Sequence, residues 1–357
     1  MRLLLLMRLA AVLAWAVAGG CVFLALANRV LIQLRQSRFK MFVVFSVMAA
    51  IIALSGLSGW VTGWTAWLVL PGLVILAAAA GEVFRFYLRA RHRASRPSER
   101  VRPRRGWPVL TTTDCVLARY ALALKGWKGT PFTIAHVSDL HVDPRLGLDY
   151  FREVADRVVA AQPDLLLIAG DFVPSARRIP MLAPVLSRFA PVPLRYAVLG
   201  NHDFWAGPER VADAVARAGI RVLRNESVSL ELAGGRLLLS GCEDPWGRPR
   251  WQAPERGRHD LLVVLVHTAD VIYSLGRAGA DLAFSGHYHA GQIRIPFFGP
   301  VVVPSAFGRR FDHGHFKVGP TDLYVSAGIG ASNPPLRFFC HPDIFLVTVS
   351  AAAPAGG

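Results

Sequence analysis

Three long apolar stretches open the chain, and a series of shorter apolar runs follows them. The long stretches cover about residues 9–28, 41–58 and 60–80. Each is close to the roughly 20 residues that a helix needs to cross the hydrocarbon core of a bilayer. Only an uncharged turn around Gly59 separates the second stretch from the third, which predicts a helical hairpin. We therefore predict three transmembrane helices within residues 1–84.

From about residue 111 the pattern changes to that of a globular α/β domain. Short apolar runs predict strands, and residues 151–161 have helical spacing. The early alternation of strand and helix favours a βαβ half, and the closely spaced last two strands favour a second sheet. The predicted strands are 115–124 (an edge strand), 132–137, 165–169, 196–199, 237–240, 261–266, 282–285, 323–326 and 344–349.

These patterns divide the chain into four segments. After the helical segment we predict a basic linker at 85–110 and an enzyme domain at 111–350. Residues 351–357 contain only Ala, Gly and Pro, which predicts a disordered tail. An alternative for the first apolar stretch is a signal peptide cleaved after Ala18. The apolar run continues to Asn28, which favours an uncleaved helix.

The positive charge of the chain lies beside the apolar stretches. The formal net charge is +16; residues 1–130 hold 18 Lys/Arg and 3 Asp/Glu, whereas residues 131–357 hold 22 and 21. A nearly neutral enzyme domain argues against long nucleic acid as a partner. Basic residues flank the predicted hairpin on both sides, which favours a cytoplasmic location for those flanks. We therefore predict an inner-membrane protein with a cytoplasmic catalytic domain and membrane lipid as a partner.

Polar side chains gather where five predicted strands end. Because the carboxyl ends of strands border one crevice in open α/β sheets, these scattered residues should converge. Glycines among them allow sharp turns and close backbone approach. Imidazole and carboxylate groups without paired cysteines suit divalent Mn, Fe, Zn, Co or Mg. The motifs are Asp139-x-His141, Gly170-Asp171, Gly200-Asn201-His202-Asp203, His267 and Gly286-His287-Tyr288-His289.

This set of motifs resembles the calcineurin-like metallophosphoesterase superfamily over about residues 112–350. The resemblance implies an α/β (α+β) four-layer sandwich, in which helices flank two mixed β-sheets, and a site for two divalent metal ions. It also implies that His202 faces the substrate phosphate without binding a metal. The implied ligands are Asp139, His141, Asp171 and His289 for one ion, and Asp171, Asn201, His267 and His287 for the other.

Further motifs resemble a membrane-associated bacterial subgroup of that superfamily. They are Asn225-Glu226-Ser227, His289-Ala290-Gly291-Gln292 with the following Ile293–Pro296, and Gly328-Ile329-Gly330. The subgroup more often has Gly at the position of Ala290. Some of its members resemble UDP-2,3-diacylglucosamine pyrophosphatases, which makes a lipid-linked diphosphate one candidate substrate. The alternatives are a phosphodiesterase for small cyclic nucleotides and a membrane scaffold with a vestigial site, against which the complete ligand set counts.

The predicted reaction is the hydrolysis of a phosphodiester or phosphoanhydride. Two ions about 3.5–4 Å apart can hold a bridging hydroxide, which attacks phosphorus in line with the leaving oxygen. His202 would stabilise the charge on the phosphoryl oxygens or protonate the leaving group, with Asp203 as its orienting partner. Asn201 and His202 are also predicted to bind substrate.

Several side chains outside these motifs are open to two interpretations. Arg309 and Arg310 lie with His313 and His315 in a segment that we interpret as an exposed loop; alternatively, the arginines bind a diphosphate group. Phe297-Phe298 and Phe338-Phe339 are interpreted as core, with a rim near the bilayer for acyl chains as the alternative. His136 is interpreted as a packed strand residue.

Overall fold

The computed structural model of the chain describes residues 2–29, 38–62, 69–102 and 109–353. The chain divides into two units, each of which is compact. The first comprises Met1–Arg91 and Val301–Arg310 and is called the helical unit below. The second comprises His92–Pro300 and Phe311–Gly357 and is called the sheet unit.

Three apolar helices form most of the helical unit: α1 (Arg2–Arg29), α2 (Arg38–Thr62) and α3 (Val69–His92). By length and composition, Arg2–Ala25 and Val69–His92 could cross a membrane, and the apolar part of α2, Phe42–Ser58, is shorter. α1 packs on α2 through small residues. A Cβ added at Gly19 would lie 2.5 Å from the Ser55 hydroxyl oxygen, so the two backbones approach as closely as in packed membrane helices.

The predicted helix bounds are wrong in two places. Gly59 lies inside α2, and α3 runs to His92, so residues 85–92 are helical and do not form a linker. A change in hydropathy marks where charge begins, but Arg, Leu and Ala continue a helix equally well. Parts of the predicted third stretch (63–68), linker (103–108) and tail (354–357) lie outside the described residues.

In the described part of the sheet unit there are fifteen strands and five α-helices. The strands are β1 (Glu99–Val101), β2 (Val116–Leu124), β3 (Phe132–Val137), β4 (Leu165–Ile168), β5 (Leu194–Ala197), β6 (Arg221–Val222), β7 (Ser227–Leu232), β8 (Gly235–Cys242), β9 (Leu261–Val266), β10 (Leu282–Ser285), β11 (Arg294–Ile295), β12 (Gly299–Pro300), β13 (Gly314–Val318), β14 (Thr321–Val325) and β15 (Asp343–Ala351). The helices are α4 (Leu148–Ala160), α5 (Ala183–Leu186), α6 (Asn201–Ala206), α7 (Pro208–Arg217) and α8 (Ile272–Arg277).

The strands form two large mixed sheets and one small hairpin. The first sheet has the order β1-β2-β15-β3-β4-β5-β6, and its strands β3 to β6 are parallel. The second has the order β13-β14-β10-β9-β8-β7, in which β14, β10, β9 and β8 are parallel. β11 and β12 pair only with each other. Two separate sheets therefore direct parallel strand ends at the polar motifs.

Apolar side chains fill the space on both faces of the first sheet. Phe132, Leu165 and Phe284 belong to a buried cluster that joins the two sheets. Phe151 of α4 and Val211 of α7 belong to a second cluster on the helix-covered face. The four-layer α/β sandwich that the sequence predicts is confirmed.

Long-range pairing accounts for most of the errors within the predicted strands. β3, β9 and β10 have the predicted bounds, but β15 inserts between β2 and β3 of the first sheet and is not part of a second one. β2 is not an edge strand because β1 pairs with it. Apolar patterning identifies a strand without identifying its neighbours, because any pleated partner satisfies the same backbone groups.

Three interpretations of single side chains have clear outcomes. His136 is fully buried in β3, with Nε2 2.9 Å from the carbonyl oxygen of Ser285 and Nδ1 3.3 Å from that of Leu167, as expected for a packed strand residue. The exposed-loop interpretation is wrong for His315, which is buried in β13. The core interpretation is wrong for Phe297, which is fully exposed.

Candidate metal centre

The predicted ligands leave the carboxyl ends of β3, β4, β5, β9 and β10 within one or a few residues of each strand end. Their backbone turns sharply at this point. Left-handed backbone with φ between 40° and 70° occurs at the five positions listed next, although a side chain disfavours it. These positions are Asp139, His141, Asp171, His287 and His289.

Two glycines allow the ligand loops to approach each other. A Cβ at Gly200 would lie 2.2 Å from Asp171 Oδ1, and a Cβ at Gly286 would lie 2.2 Å from Asp139 Oδ2. Any larger residue would displace these carboxylates. The close backbone approach predicted from the glycines is confirmed at both positions.

One group of ligand atoms forms around His141. Its Nε2 lies 3.2 Å from His289 Nε2 and 3.3 Å from Asp171 Oδ2. His289 Nε2 lies 3.5 Å from Asp139 Oδ1. The backbone N–H of His287 donates to the Asp139 carboxylate at 2.9 Å, which holds that carboxylate in place.

A second group forms around His267. Its Nε2 lies 3.4 Å from Asp171 Oδ2, 3.2 Å from His287 Nδ1 and 3.1 Å from Asn201 Oδ1. Its Nδ1 lies 2.6 Å from the carbonyl oxygen of Ala169, so that Nδ1 carries the proton and Nε2 faces the group. Asp171 thus belongs to both groups.

The chemistry and placement of these atoms fit divalent cations. Asp139, His141 and His289 offer atoms within 4.8 Å of one another, as do Asp171, His267 and His287. Two imidazole nitrogens 3.2 Å apart, as at His141 and His289, cannot both present lone pairs unless a proton or a cation lies between them. Nitrogen and carboxylate oxygen are ligands suited to Mn, Fe, Zn or Co.

Burial and mutual charge shift the titration of this cluster. Burial and the neighbouring His267 lower the pKa of His287 to about 3. Burial alone would lower the pKa of His267, but the Asp171 carboxylate outweighs burial and raises this pKa to about 9. Burial alone would raise the pKa of Asp171, but His267 outweighs burial and holds this pKa well below its usual range. A cation competes with protons for these ligands, so its binding weakens as the pH falls.

His202 lies beside both the ligands and an aromatic wall. Its ring centroid is 4.6 Å from that of His141 and 4.6 Å from that of Trp205. Burial lowers the pKa of His202 to about 4, although the Asp171 carboxylate opposes this shift. A ring nitrogen of His202 is also close enough to His141 and Asp171 for the three to hold an ion together. Its role as a residue that contacts phosphate without binding metal stays a prediction.

Asp203 holds backbone in place, a role that the sequence did not predict. Its carboxylate accepts hydrogen bonds at 2.8–3.3 Å from the N–H groups of Gly200, Asp171, Phe172 and Val173. Both oxygens are therefore engaged with the loops after β4 and β5. Among the described residues, no hydrogen bond joins this carboxylate to the His202 imidazole, so the structure does not support Asp203 as the orienting partner of His202.

The two arginines predicted to bind substrate belong to the helical unit. Arg309 Nη1 lies 3.0 Å from Glu82 Oε2 on α3. The guanidinium of Arg310 lies over the ring of Phe307, 5.8 Å from its centroid. These contacts give both side chains roles within that unit, and their binding of a diphosphate stays a prediction.

The sequence patterns did not predict that two tryptophans, Trp205 and Trp246, lie beside the centre. Trp246 follows β8 and lies edge-on to His267 and His287, at centroid distances of 5.4 and 5.2 Å. Asn225 anchors the loop that carries Trp246: it accepts a hydrogen bond from the N–H of Glu243 at 2.8 Å and donates one to the carbonyl of Pro249 at 2.8 Å. The strand-end criterion could have identified Trp246, because it lies six residues beyond the predicted strand 237–240.

A fully buried arginine supports the loop of His289. Arg337 donates to the carbonyls of Ala327, Gly328 and Gly330 at 2.5–3.1 Å. Its Nη2 also lies 3.4 Å from His289 Nδ1. The only sequence signal was a charge between apolar residues at 335–339, which does not indicate burial.

One protein family matches the part of the chain that contains this centre. The family described as "Calcineurin-like phosphoesterase" matches residues 132–291. This range contains all seven predicted ligands.

Two relatives and one solved structure are similar to a larger share of the chain. The chain is 29% identical to the uncharacterized metallophosphoesterase YkuE of Bacillus subtilis over 255 residues, which cover 68% of this chain and 86% of the relative. It is 28% identical to the phosphodiesterase YaeI of Escherichia coli over 236 residues, 65% of this chain and 87% of the relative. A dimetal phosphatase from Danio rerio has 10% identity and a TM-score of 0.36, covering 63% of this chain and 100% of that one.

Proposed function

Because the chain carries a calcineurin-like metallophosphoesterase domain and is a metal-dependent phosphoester hydrolase, we propose that it hydrolyses a phosphodiester or phosphoanhydride at two divalent metal ions. The first ion would be held by Asp139, His141, Asp171 and His289. The second would be held by Asp171, Asn201, His267 and His287.

One observation carries this proposal: ligand atoms from five strand ends converge in two groups that share Asp171. Divalent ions in such a site supply a water of lowered pKa and stabilise the charge that develops on phosphate. The protein residues fix the arrangement, because Asp203 and the N–H of His287 hold the carboxylate loops before substrate arrives.

His202 is proposed to contact the substrate. Its imidazole is neutral near pH 7, since its pKa is lowered, and can donate an N–H to a phosphoryl oxygen. Trp205 packs against this ring and restricts its rotation. His202 would thereby stabilise the additional negative charge of the transition state without itself carrying a charge.

We further propose that the enzyme is anchored in the inner membrane with its sheet unit on the cytoplasmic side. The lengths of α1 and α3 and the arginines that follow residue 84 support this location. An anchored enzyme meets lipid-borne substrates at high local concentration. A lipid-linked diphosphate such as UDP-2,3-diacylglucosamine is therefore the proposed substrate.

The test is an assay of the full chain in detergent with Mn, Fe, Zn, Co or Mg added separately. Hydrolysis of bis(p-nitrophenyl) phosphate, lost together with bound metal in Asp171→Asn, would support the dinuclear mechanism. The same preparation is then given UDP-2,3-diacylglucosamine and a cyclic nucleotide. Preference for the cyclic nucleotide would contradict the lipid substrate, and metal-independent hydrolysis would contradict the mechanism.

A further inference from the structure

Large apolar side chains of the sheet unit face solvent just beyond the candidate metal centre. Phe297 at the tip of the β11–β12 hairpin is fully exposed. The other members are between 38% and 49% exposed, more than most apolar side chains of the sheet unit. We call this set the hairpin patch: Leu110, Ile293, Ile295, Phe297, Phe298 and Leu336.

The members of the hairpin patch form one surface. Leu110 and Ile293 each form a backbone bridge with Phe338. The N–H of Arg294 donates to the carbonyl of Phe338 at 2.9 Å, which attaches the hairpin to the segment that carries Leu336. Contiguous exposed apolar surface of this kind marks an interaction site more often than single exposed side chains do.

Phe297 occupies a backbone conformation that does not favour it. Its φ is 65°, in the left-handed region where Gly or Asn is the usual residue. A phenylalanine there is strained and exposed, so it contributes little to the stability of the sheet unit. Strain that folding does not explain points to a functional role for the side chain.

The hairpin patch has no acidic neighbour in sequence that would repel an anionic partner. Residues 282–300 of the sheet unit contain no Asp or Glu, and Arg294 lies between Ile293 and Ile295. Its Nη1 lies 3.0 Å from Asp312 Oδ2, so its charge is balanced by that buried carboxylate. An apolar surface without exposed carboxylates can rest on anionic lipid without repulsion. An acidic protein partner would not provide the acyl-chain environment that suits the fully exposed Phe297.

The covalent neighbours of the hairpin also indicate a bilayer. Pro300 ends β12, and the next residues, Val301–Arg310, belong to the helical unit. Within that unit Arg309 pairs with Glu82 of α3, a helix long and apolar enough to cross a membrane. The chain thus passes from the hairpin directly into a segment bound to a candidate membrane helix.

We propose that the hairpin patch inserts into the boundary between headgroups and acyl chains of a bilayer that contains anionic lipid. His289 precedes Ile293 by only four residues, so the insertion would hold the metal centre at the level of lipid headgroups. That last consequence rests on the proposed metal centre, and the insertion rests on the proposed membrane anchor but not on the proposed hydrolysis.

The test measures contact with lipid directly. Phe297→Cys in a Cys21→Ala background is labelled with a fluorescent nitrobenzoxadiazole group; the other cysteines are buried. The full chain is reconstituted in vesicles of phosphatidylethanolamine and phosphatidylglycerol, with or without phosphatidylcholine that carries a doxyl quencher near the head of its acyl chain. The control is Glu231→Cys in the same background, an exposed site on β7, outside the hairpin patch.

The label at 297 is expected to lose about half of its emission with doxyl lipid, because such segments lie about 5–10 Å deep. The label at 231 should lose almost none. Equal quenching at both positions would overturn the proposal. Quenching at 297 that follows protein density and not doxyl content would also overturn it, because it would indicate contact between copies.

Hydrolysis of bis(p-nitrophenyl) phosphate by the same vesicles reports the proposed function separately. Selective quenching without hydrolysis would support insertion and contradict the proposed function. Hydrolysis without selective quenching would overturn insertion and leave the proposed function intact.

Discussion

The imidazole of His202 lies between the ligand cluster and the Trp205 ring. The backbone N–H of His202 donates to Asp171 Oδ1 at 2.8 Å, so residue 202 also helps to orient the shared carboxylate. Substitution of the side chain leaves this backbone bond in place. The effect of losing the imidazole can therefore be measured without disturbing Asp171.

We expect His202→Ala to lower kcat about 100- to 1,000-fold, the usual effect of removing one donor to a developing anion. The metal content, measured on the purified full chain by elemental analysis, should stay near that of the unsubstituted protein. Asp171→Ala is the matched control and should lose both metal and activity. Loss of metal from His202→Ala would make this residue a ligand.

Arg337 is a buried cation whose hydrogen-bond partners are mainly backbone carbonyls. Its guanidinium joins three carbonyls at 327–330 to His289, and a Cβ at Gly328 would already lie 2.6 Å from Asp139 Cβ. The arginine thus joins the loop that carries His289 to the segment 327–330, which packs against Asp139. We class it as a positioning residue because it contacts a ligand and no substrate.

We expect Arg337→Lys to weaken metal binding about 10- to 100-fold, as loss of the partners of metal ligands commonly does. A lysine has one donor group and cannot span all the carbonyls. Competition with a chelator dye measures the affinity. Arg195→Lys is the matched control, because Arg195 also donates to backbone carbonyls, those of Ala190, Val192 and Gly219, and contacts no predicted ligand. Equal metal affinity in both variants would remove the positioning role.

At the scale of elements, the edge strand β13 is held to β14 by a buried polar cluster. His315 Nε2 lies 2.8 Å from Asp322 Oδ1, and Lys317 Nζ lies 2.6 Å from Asp322 Oδ2. Ser95 Oγ lies 2.8 Å from His315 Nδ1 and connects the chain before β1 to the same cluster. Burial alone would raise the pKa of Asp322, but the hydrogen bonds from His315 and Lys317 outweigh burial and lower it.

A lowered pKa means that ionised Asp322 stabilises the fold. Its contribution, about 1.5–3 kcal/mol for charged hydrogen bonds, is complete above the ordinary pKa of about 3.9 and is lost as the pH falls through the lower folded-state pKa. Asp322→Asn should therefore lower Tm at neutral pH, and the difference should shrink below about pH 4. Asp149→Asn, in an exposed pair with Arg152, is the control and should change Tm little. A difference that stays constant with pH would contradict this account.

At the scale of the whole molecule, two helices long and apolar enough to cross a membrane share a chain with the sheet unit. α1 and α3 expose many large apolar side chains, including Leu13 and Leu76. Water is a poor solvent for such helices, whereas a bilayer satisfies their surface and their backbone bonds are internal. These exposed apolar surfaces are the basis on which we propose the membrane anchor.

We expect the full chain to stay in the membrane fraction after washing with alkaline carbonate. Peripheral proteins leave under this treatment because it removes electrostatic contacts, whereas spanning helices stay in the hydrocarbon. Immunoblots of pellet and supernatant measure the distribution. Release into the supernatant would contradict the anchor.

The sequence by itself determined the class of domain and the identities of the candidate ligands. Apolar runs located most of the strands, and polar residues at their ends located Asp139, Asp171 and His267. These signals are local: a buried strand needs apolar residues, and a metal needs nitrogen or carboxylate ligands, wherever the chain later folds.

Only the tertiary structure decided what depends on contacts between distant residues. It placed β15 between β2 and β3, directed Asp203 to backbone amides, buried Arg337 beside His289 and exposed Phe297. The identity of a phenylalanine or an arginine does not show whether its side chain lies in the core or on the surface. Its environment follows from which strands pair and which loops meet, and local patterning does not contain that information.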